Sequence, residues 1–218
     1  MTVPHTPTPL GGWSDETRVS WYLDRLPRLT SRAPGEQMLA ELLPAHPRRL
    51  LDLGCGDGVL ARLALDRRPG IEEVLAVDIS EPMLTRARAG FADDARVTVA
   101  RHDLNDSLAT LPGPFDVVTS GFAIHHLEDA RKRQLYAEAH ALLSDGGVLV
   151  NLDAVASPSA QLHRDFLEAI GRTADDPEDR LARVADQLDW LDEAGFATAA
   201  CMWQWRGFAV LAAWKSPY

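Results

Sequence analysis

Apolar positions change their spacing along this chain, and the changes predict its elements. From Ser14 to Leu29 they recur at helical intervals (Val19, Leu23, Leu26), with Ser14 as the expected N-cap. Pro34–Leu43 predicts a second helix, proline in its first turn and Pro44 beyond its end. The period then shortens. Arg49–Leu53, Val74–Ile79, Val97–His102, Phe115–Ser120 and Val148–Leu152 are short, nearly continuous apolar runs, and each predicts a strand buried on both faces. Helical stretches separate several of them: Val59–Arg68, Met83–Phe91 and the long Asp129–Leu143. Strand–helix alternation predicts a parallel sheet covered on both sides.

After Asp153 the alternation stops. Ser157–Gly171 and Leu181–Ala194 predict helices around a charged loop containing Pro177. Ala197–Trp205 and Phe208–Trp214 flank Arg206-Gly207, which predicts an antiparallel hairpin. The expected organisation is a loose Pro/Thr-rich tail over 1–12 and one domain over 13–218. Helical caps over 13–46 and 154–195 are expected to cover the carboxyl ends of the strands.

Composition narrows the function classes. The 218 residues are 46% hydrophobic and 25% charged, enough for a sizeable core without staples. There are 22 basic and 32 acidic residues, a formal charge of −10, which argues against a nucleic-acid or anionic-membrane partner held by bulk attraction. Cys55 and Cys201 form neither a metal spacing nor a disulfide framework. The opening MTVPHTPTPL has no basic and apolar leader pattern, and no apolar run approaches membrane length, so a cytoplasmic location is the expectation.

The candidate chemistry sits at three strand ends. Leu51-Asp-Leu-Gly-Cys-Gly-Asp-Gly58 runs a buried strand into three glycines and a helix. Such a turn lets backbone approach a ligand at the carboxyl edge of an α/β sheet. Asp78 ends the second strand, where a carboxylate can accept both hydroxyls of a ribose, and Asp103 follows the third, placed for an adenine amino group. Together they read as a nucleoside cradle. Val59 stands where a dinucleotide fingerprint departs from this pattern, and Asp52 would repel a pyrophosphate but suits a cationic amino group.

These segments, with Phe115-Asp-Val-Val118 and Leu143-Ser-Asp-Gly-Gly147, resemble the ordered motifs of class I S-adenosylmethionine-dependent methyltransferases over about residues 48–153. The resemblance implies a Rossmann-like α/β fold, a mostly parallel seven-stranded sheet of order 3-2-1-4-5-7-6 with a C-terminal antiparallel hairpin. It implies S-adenosyl-L-methionine as cofactor and S-adenosyl-L-homocysteine as product. By the same resemblance Gly54 and Gly56 line the methionine moiety, with Cys55 fitting the turn and Asp52 near the amino group. Asp78 binds the ribose diol, Ile79 and Met83 sandwich the adenine, and Asp103 and Leu104 read its edge. Ser120, Gly121 and Phe122 pass under the sulfonium, while Tyr22 and Arg28 belong to a lid, Arg28 facing the methionine carboxylate.

The expected reaction is methyl transfer to an O, N, C or S nucleophile of a small molecule. A S-adenosylmethionine-binding protein that does not methylate is the alternative. His125 and His126 are the candidate bases or packing residues, since imidazole titrates near neutrality. Trp13, Trp21, Asp153 and Trp203 are candidate acceptor contacts, with Cys201, Trp203 and Trp205 expected on one strand face. No metal site is expected: Asn151 and Asp153 end the fifth strand without a second acidic pair. Oligomeric state is not readable.

Overall fold

A computed structural model describes residues 12–25, 29 and 31–217. The seven strands are β1 (Arg49–Leu53), β2 (Glu73–Asp78), β3 (Val97–Arg101), β4 (Phe115–Gly121), β5 (Leu143–Ala154), β6 (Thr198–Trp205) and β7 (Phe208–Trp214). They form one sheet in the order β3-β2-β1-β4-β5-β7-β6, the order implied by the resemblance. β1 to β5 run parallel, and β7 lies antiparallel between β5 and β6. The helices are α1 (Glu16–Arg25), α2 (Arg32–Glu41), α3 (Val59–Arg67), α4 (Glu81–Gly90), α5 (Asp129–Leu142), α6 (Ala160–Ala169) and α7 (Val184–Glu193).

The inner strands are largely apolar because both faces are covered, whereas the edge strands β3 and β6 are partly exposed, so the expected two-sided burial of Val97–His102 does not hold. Leu50 of β1, with Val74 and Ala76 of β2, packs under Leu39 of α2 and Leu60 and Ala64 of α3. Their neighbours Leu51, Leu53, Leu75 and Val77 point the other way, against Leu135 and Tyr136 of α5 and Trp190 of α7. Asp52 breaks this pattern: its position is as buried as the leucines beside it, yet it carries a carboxyl. Burial of a lone carboxylate is costly, so its placement calls for a functional account.

Several boundaries and placements differ from expectation. The α1 cap is Asp15, whose carboxylate accepts the Thr17 N–H at 2.8 Å, rather than Ser14. β5 starts at Leu143, five residues early, because Leu143 already pairs with Phe115 across a register shift. α6 is capped by Ser159, which accepts from the Leu162 N–H. α2 and α7 lie on the two sheet faces and not over the strand ends, since Leu39 and Trp190 are core residues. A bulge at Met202 turns Cys201 away from the face of Trp203 and Trp205. Cys201 pairs with Leu211 but Trp203 with Val210, so the two side chains leave opposite faces. No helix of the described residues is long and apolar enough to cross a membrane. The expected 1–12 tail lies, but for its last residue, outside the described residues.

Candidate functional site

The glycine turn after β1 is held from two sides. Cys55 N–H donates to the Val77 carbonyl at 2.9 Å, tying the turn to β2. Gly56 N–H donates to Asp78 Oδ2 at 2.8 Å, and Asp78 Oδ1 accepts the Ser80 N–H at 2.8 Å. One carboxylate thus organises both the glycine turn and the start of α4, and burial pushes its pKa up. Gly54 has φ +66°, and a Cβ there would sit 2.2 Å from the Ala123 Cβ, so the turn lies directly against the segment after β4. The Cys55 thiol is buried and its pKa is pushed well up by that burial and by Asp52, which makes it a packing residue rather than a nucleophile.

Above this turn opens a cleft of about 500 Å³. Asp52, Gly54, Cys55, Gly56, Asp78, Ile79, Met83, Asp103, Leu104, Gly121 and Phe122 all line it, as do Tyr22, Trp13 and His126. Asp52 Oδ1 accepts the Thr119 hydroxyl at 2.9 Å, while Oδ2 is buried with no partner. Burial pushes the Asp52 pKa up to about 7. Asp103 Oδ1 accepts from Asn105 N–H at 2.9 Å, an Asx turn that fixes the carboxylate at the cleft wall.

Ser120 is not in this wall. Its hydroxyl donates to the Leu53 carbonyl at 2.9 Å inside the sheet, where it bridges β4 to β1. Arg28 lies outside the described residues. Arg180 and Arg32 do line the cleft, and sequence reasoning missed Arg32. It donates to Tyr22 Oη at 3.0 Å, pairs with Glu36 at 2.5 Å and stacks 4.9 Å over the Phe122 ring. The only sequence signal was an arginine just before the proline of α2, which marks a helix start and not a ligand.

A second, smaller chamber of about 110 Å³ adjoins the cleft. Trp13, Tyr22, Arg32, Phe122 and His126 belong to both. Phe122 forms the partition. Its φ is +54°, rare for a bulky residue, and its N–H donates to the Leu152 carbonyl at 2.8 Å. Strain of this kind persists only where neighbours over-determine it, and it concentrates at functional sites. Trp21 lines the chamber alone. Trp203 reaches neither cavity, packing instead against Gly35 and Leu152.

The histidines diverge in role. His125 is buried, with its N–H 2.9 Å from Asp153 Oδ2 and its Nδ1 2.5 Å from Asp153 Oδ1. Its Nε2 lies 3.4 Å from Asp179 Oδ1. Burial favours the neutral ring, but the Asp153 carboxylate outweighs it, aided by Asp179, and the pKa rises to about 9. Asp153 therefore serves His125 and lines neither cavity. His126, its ring centroid 3.9 Å away, is held neutral by burial and by the adjacent imidazolium. Among the described residues, His125, His126 and Asp179 are the grouping whose donor atoms lie within 4.8 Å of one another, the arrangement that comes nearest to a metal site. Asp179 comes from the charged loop before α7, where no periodicity marks one acid above its neighbours.

Comparison with known proteins agrees with this geometry. Residues 50–147 match the model of a methyltransferase domain family. An uncharacterized methyltransferase of Mycobacterium tuberculosis is 37% identical over 115 residues, 52% of this chain and 54% of that protein. The chain thus spans about half the length of such curated relatives. An O-methyltransferase family protein from Burkholderia thailandensis superposes with a TM-score of 0.74 at 20% identity, covering 94% of this chain and 61% of that one. A S-adenosylmethionine-dependent methyltransferase from Mesorhizobium loti does so at 0.62 and 26% identity, covering 82% and 96%. With the sheet order, the glycine turn and the acids at the ends of β2 and β3 all in place, residues 50–147 form a methyltransferase domain, in the Rossmann-like fold of the class I S-adenosylmethionine-dependent methyltransferases.

Proposed function

We propose that this protein transfers a methyl group from S-adenosylmethionine to a small-molecule acceptor held in the inner chamber. The observation that carries the reading is the junction of two cavities at Phe122 and His126. One is large enough for a nucleoside with an amino-acid tail, and the other is enclosed by the N-terminal helix and α6.

The cleft residues fit the donor. Asp52 offers a buried carboxylate oxygen with no partner, suited to an ammonium group. Asp78 stands at the end of β2 for the ribose hydroxyls, and Ile79, Met83 and Leu104 supply apolar walls for the base. The donor supplies an electrophilic methyl carbon. The protein's part is alignment, which is worth up to about 7–11 kcal/mol in favourable cases. Phe122 and Tyr22 set the partition across which the two reactants meet. His126, neutral and at the junction, is placed to accept a hydrogen bond from the nucleophile and orient it, since burial and the adjacent imidazolium oppose its taking a full proton. His125, already an imidazolium between two carboxylates, cannot accept another and holds His126 in place.

A single proton completes the Asp153–His125–Asp179 cluster, so the reading assigns it to proton chemistry without a metal. The net acidity of the chain disfavours nucleic-acid acceptors, and two unpaired cysteines suit a reducing cytoplasm.

The test is ligand-dependent melting followed by product detection. S-adenosylmethionine and S-adenosylhomocysteine should raise the Tm, and NAD should not. Ligand at a hundredfold excess over its Kd stabilises by about 2.7 kcal/mol. Labelled cofactor incubated with a metabolite extract should then yield S-adenosylhomocysteine and a labelled small molecule. Binding without turnover across such extracts would favour a non-methylating binder, and a shift with NAD alone would end the reading.

A further inference from the structure

The inner chamber carries an excess of unfilled hydrogen-bond donors. Among the described residues, seven buried side-chain nitrogen and oxygen atoms lack any partner. Three of them, all N–H donors, belong to this chamber's wall: Trp13 Nε1, Trp21 Nε1 and Arg172 Nη2. Buried donors are nearly always satisfied, because an orphan costs about 1–3 kcal/mol. Three on one small cavity indicate that its occupant supplies the acceptors.

The charge balance gives the sign. The three aspartates of the wall each have a nearer partner than Arg172. Asp176 receives Arg18 at 3.1 Å, Asp179 faces His125 Nε2 at 3.4 Å, and Asp175 meets His163 Nε2 at 2.8 Å. Arg172 stands 3.9 Å from both Asp176 and Asp179, beyond hydrogen-bond reach. Its guanidinium makes only these long ion pairs and keeps Nη2 without a hydrogen bond, and Arg18, Arg25 and Arg32 line the same chamber, so its wall is rich in cations although the chain's formal charge is −10. The rest of the wall is apolar, with Phe122, Phe166, Ile170 and Phe208. The volume of about 110 Å³ is somewhat below the cavity of about 150 Å³ that holds one benzene ring.

We infer that the methyl acceptor is a small organic acid, with an apolar body smaller than a benzene ring and a carboxylate received by Arg172 and the two indole N–H groups. The inference rests on the methyltransferase reading for its reaction, but the binding chemistry stands on the chamber alone. Guanidinium and indole N–H groups donate only, so they accept a carboxylate and reject a group that presents N–H in return. A carboxylate on Arg172 is a charge-assisted pair in a water-poor site, where such bonds are strongest.

The experiment compares acids with their neutral, isosteric amides by calorimetry, with and without saturating S-adenosylhomocysteine. The probes are propanoate and propanamide, 2-methylpropanoate and 2-methylpropanamide, 3-methylbutanoate and 3-methylbutanamide. At least one acid should bind about tenfold or more tighter than its amide. Arg172→Gln should remove about tenfold of the acid's affinity and leave the amide's unchanged. Trp21→Phe removes the N–H together with the five-membered part of the indole; it should weaken the acid several-fold more than the amide, which decides the matter if the arginine variant fails to fold. Neither residue lines the cofactor cleft, so S-adenosylhomocysteine affinity should hold in both variants. Amides binding as well as acids, or no acid binding at about 10 mM, would overturn the inference. Loss of S-adenosylhomocysteine binding in the unaltered protein would instead remove the methyltransferase reading, and the acid–amide comparison run without it would still stand.

Discussion

Asp153 grips His125 twice, accepting its backbone N–H on Oδ2 at 2.9 Å and meeting its Nδ1 with Oδ1 at 2.5 Å. One acid at the end of β5 therefore sets both the position of the turn after β4 and the protonation of its imidazole. The protonated ring in turn keeps His126 neutral at the junction of the two cavities.

That pairing predicts a pH signature. His125 titrates near 9 when folded and about 6.5 when unfolded. Its stabilising contribution is complete below about 6.5 and disappears as pH rises through 9, with a limiting slope of about 1.4 kcal/mol per unit. Asp153→Asn should abolish it. The stability gap between the two proteins, from urea melts, should shrink between pH 6.5 and 9. A gap independent of pH across that window would mean that His125 is neutral in the folded protein.

His126→Asn should lower turnover on the true acceptor by about tenfold or more, a larger effect than on S-adenosylhomocysteine affinity, since His126 lines both cavities. His125→Asn should instead lower the Tm, because Asp153 and Asp179 lose the cation between them. Steady-state rates and thermal melts of the two variants separate these outcomes. Equal turnover defects with equal melting temperatures would place both rings in the same role.

Asp52 costs the unliganded protein stability. Its folded pKa, near 7, lies well above the ordinary carboxylate value, so the penalty for ionising it grows as pH rises from 4 to 7. Asp52→Asn should stabilise the unliganded protein at pH 8, by about 1–2 kcal/mol once the burial of the amide is set against the gain. S-adenosylhomocysteine affinity should fall at least about tenfold, the loss expected for one hydrogen bond to a charged group. Melting curves and calorimetry on the same preparation check both. Unchanged affinity would show that Asp52 does not face the ammonium.

Gly54→Ala forces a Cβ to 2.2 Å from that of Ala123 at a φ of +66° and should cost about 3–5 kcal/mol. Gly146 has a comparable φ of +79° but open space around it, so its alanine variant should cost only about 1–2 kcal/mol. Urea denaturation of both measures the difference, which isolates the close approach of the glycine turn to the segment after β4.

A chelator should leave the Tm unchanged, as should added Zn²⁺ or Mn²⁺, if a proton satisfies the His125–Asp179 cluster. The melt is best run at pH 7, where the cluster holds that proton. A rise in Tm with one of these ions, lost in Asp179→Asn, would reassign the cluster as a metal site.

The chain by itself determined its α/β architecture, because strands buried on both faces must be apolar throughout and helices between them must be amphipathic. The glycine turn, Asp78 and Asp103 were legible for a related reason. Polar or glycine residues at the ends of buried strands are local signals, readable without knowing what stands opposite. Sheet order came from the family resemblance, not from periodicity. The inner chamber is different. Arg32, Arg172 and Asp179 come from segments where charged residues are common, and nothing local distinguishes them from a solvated surface. Ser120 and Trp203 erred the other way: β4 turns Ser120 into the sheet, and packing on α2 keeps Trp203 from both cavities. Which charges meet across the chamber depends on contacts between residues as far apart as Arg18 and Asp176, 158 positions along the chain. Only folding brings such partners into the low-dielectric interior where their interaction acquires force.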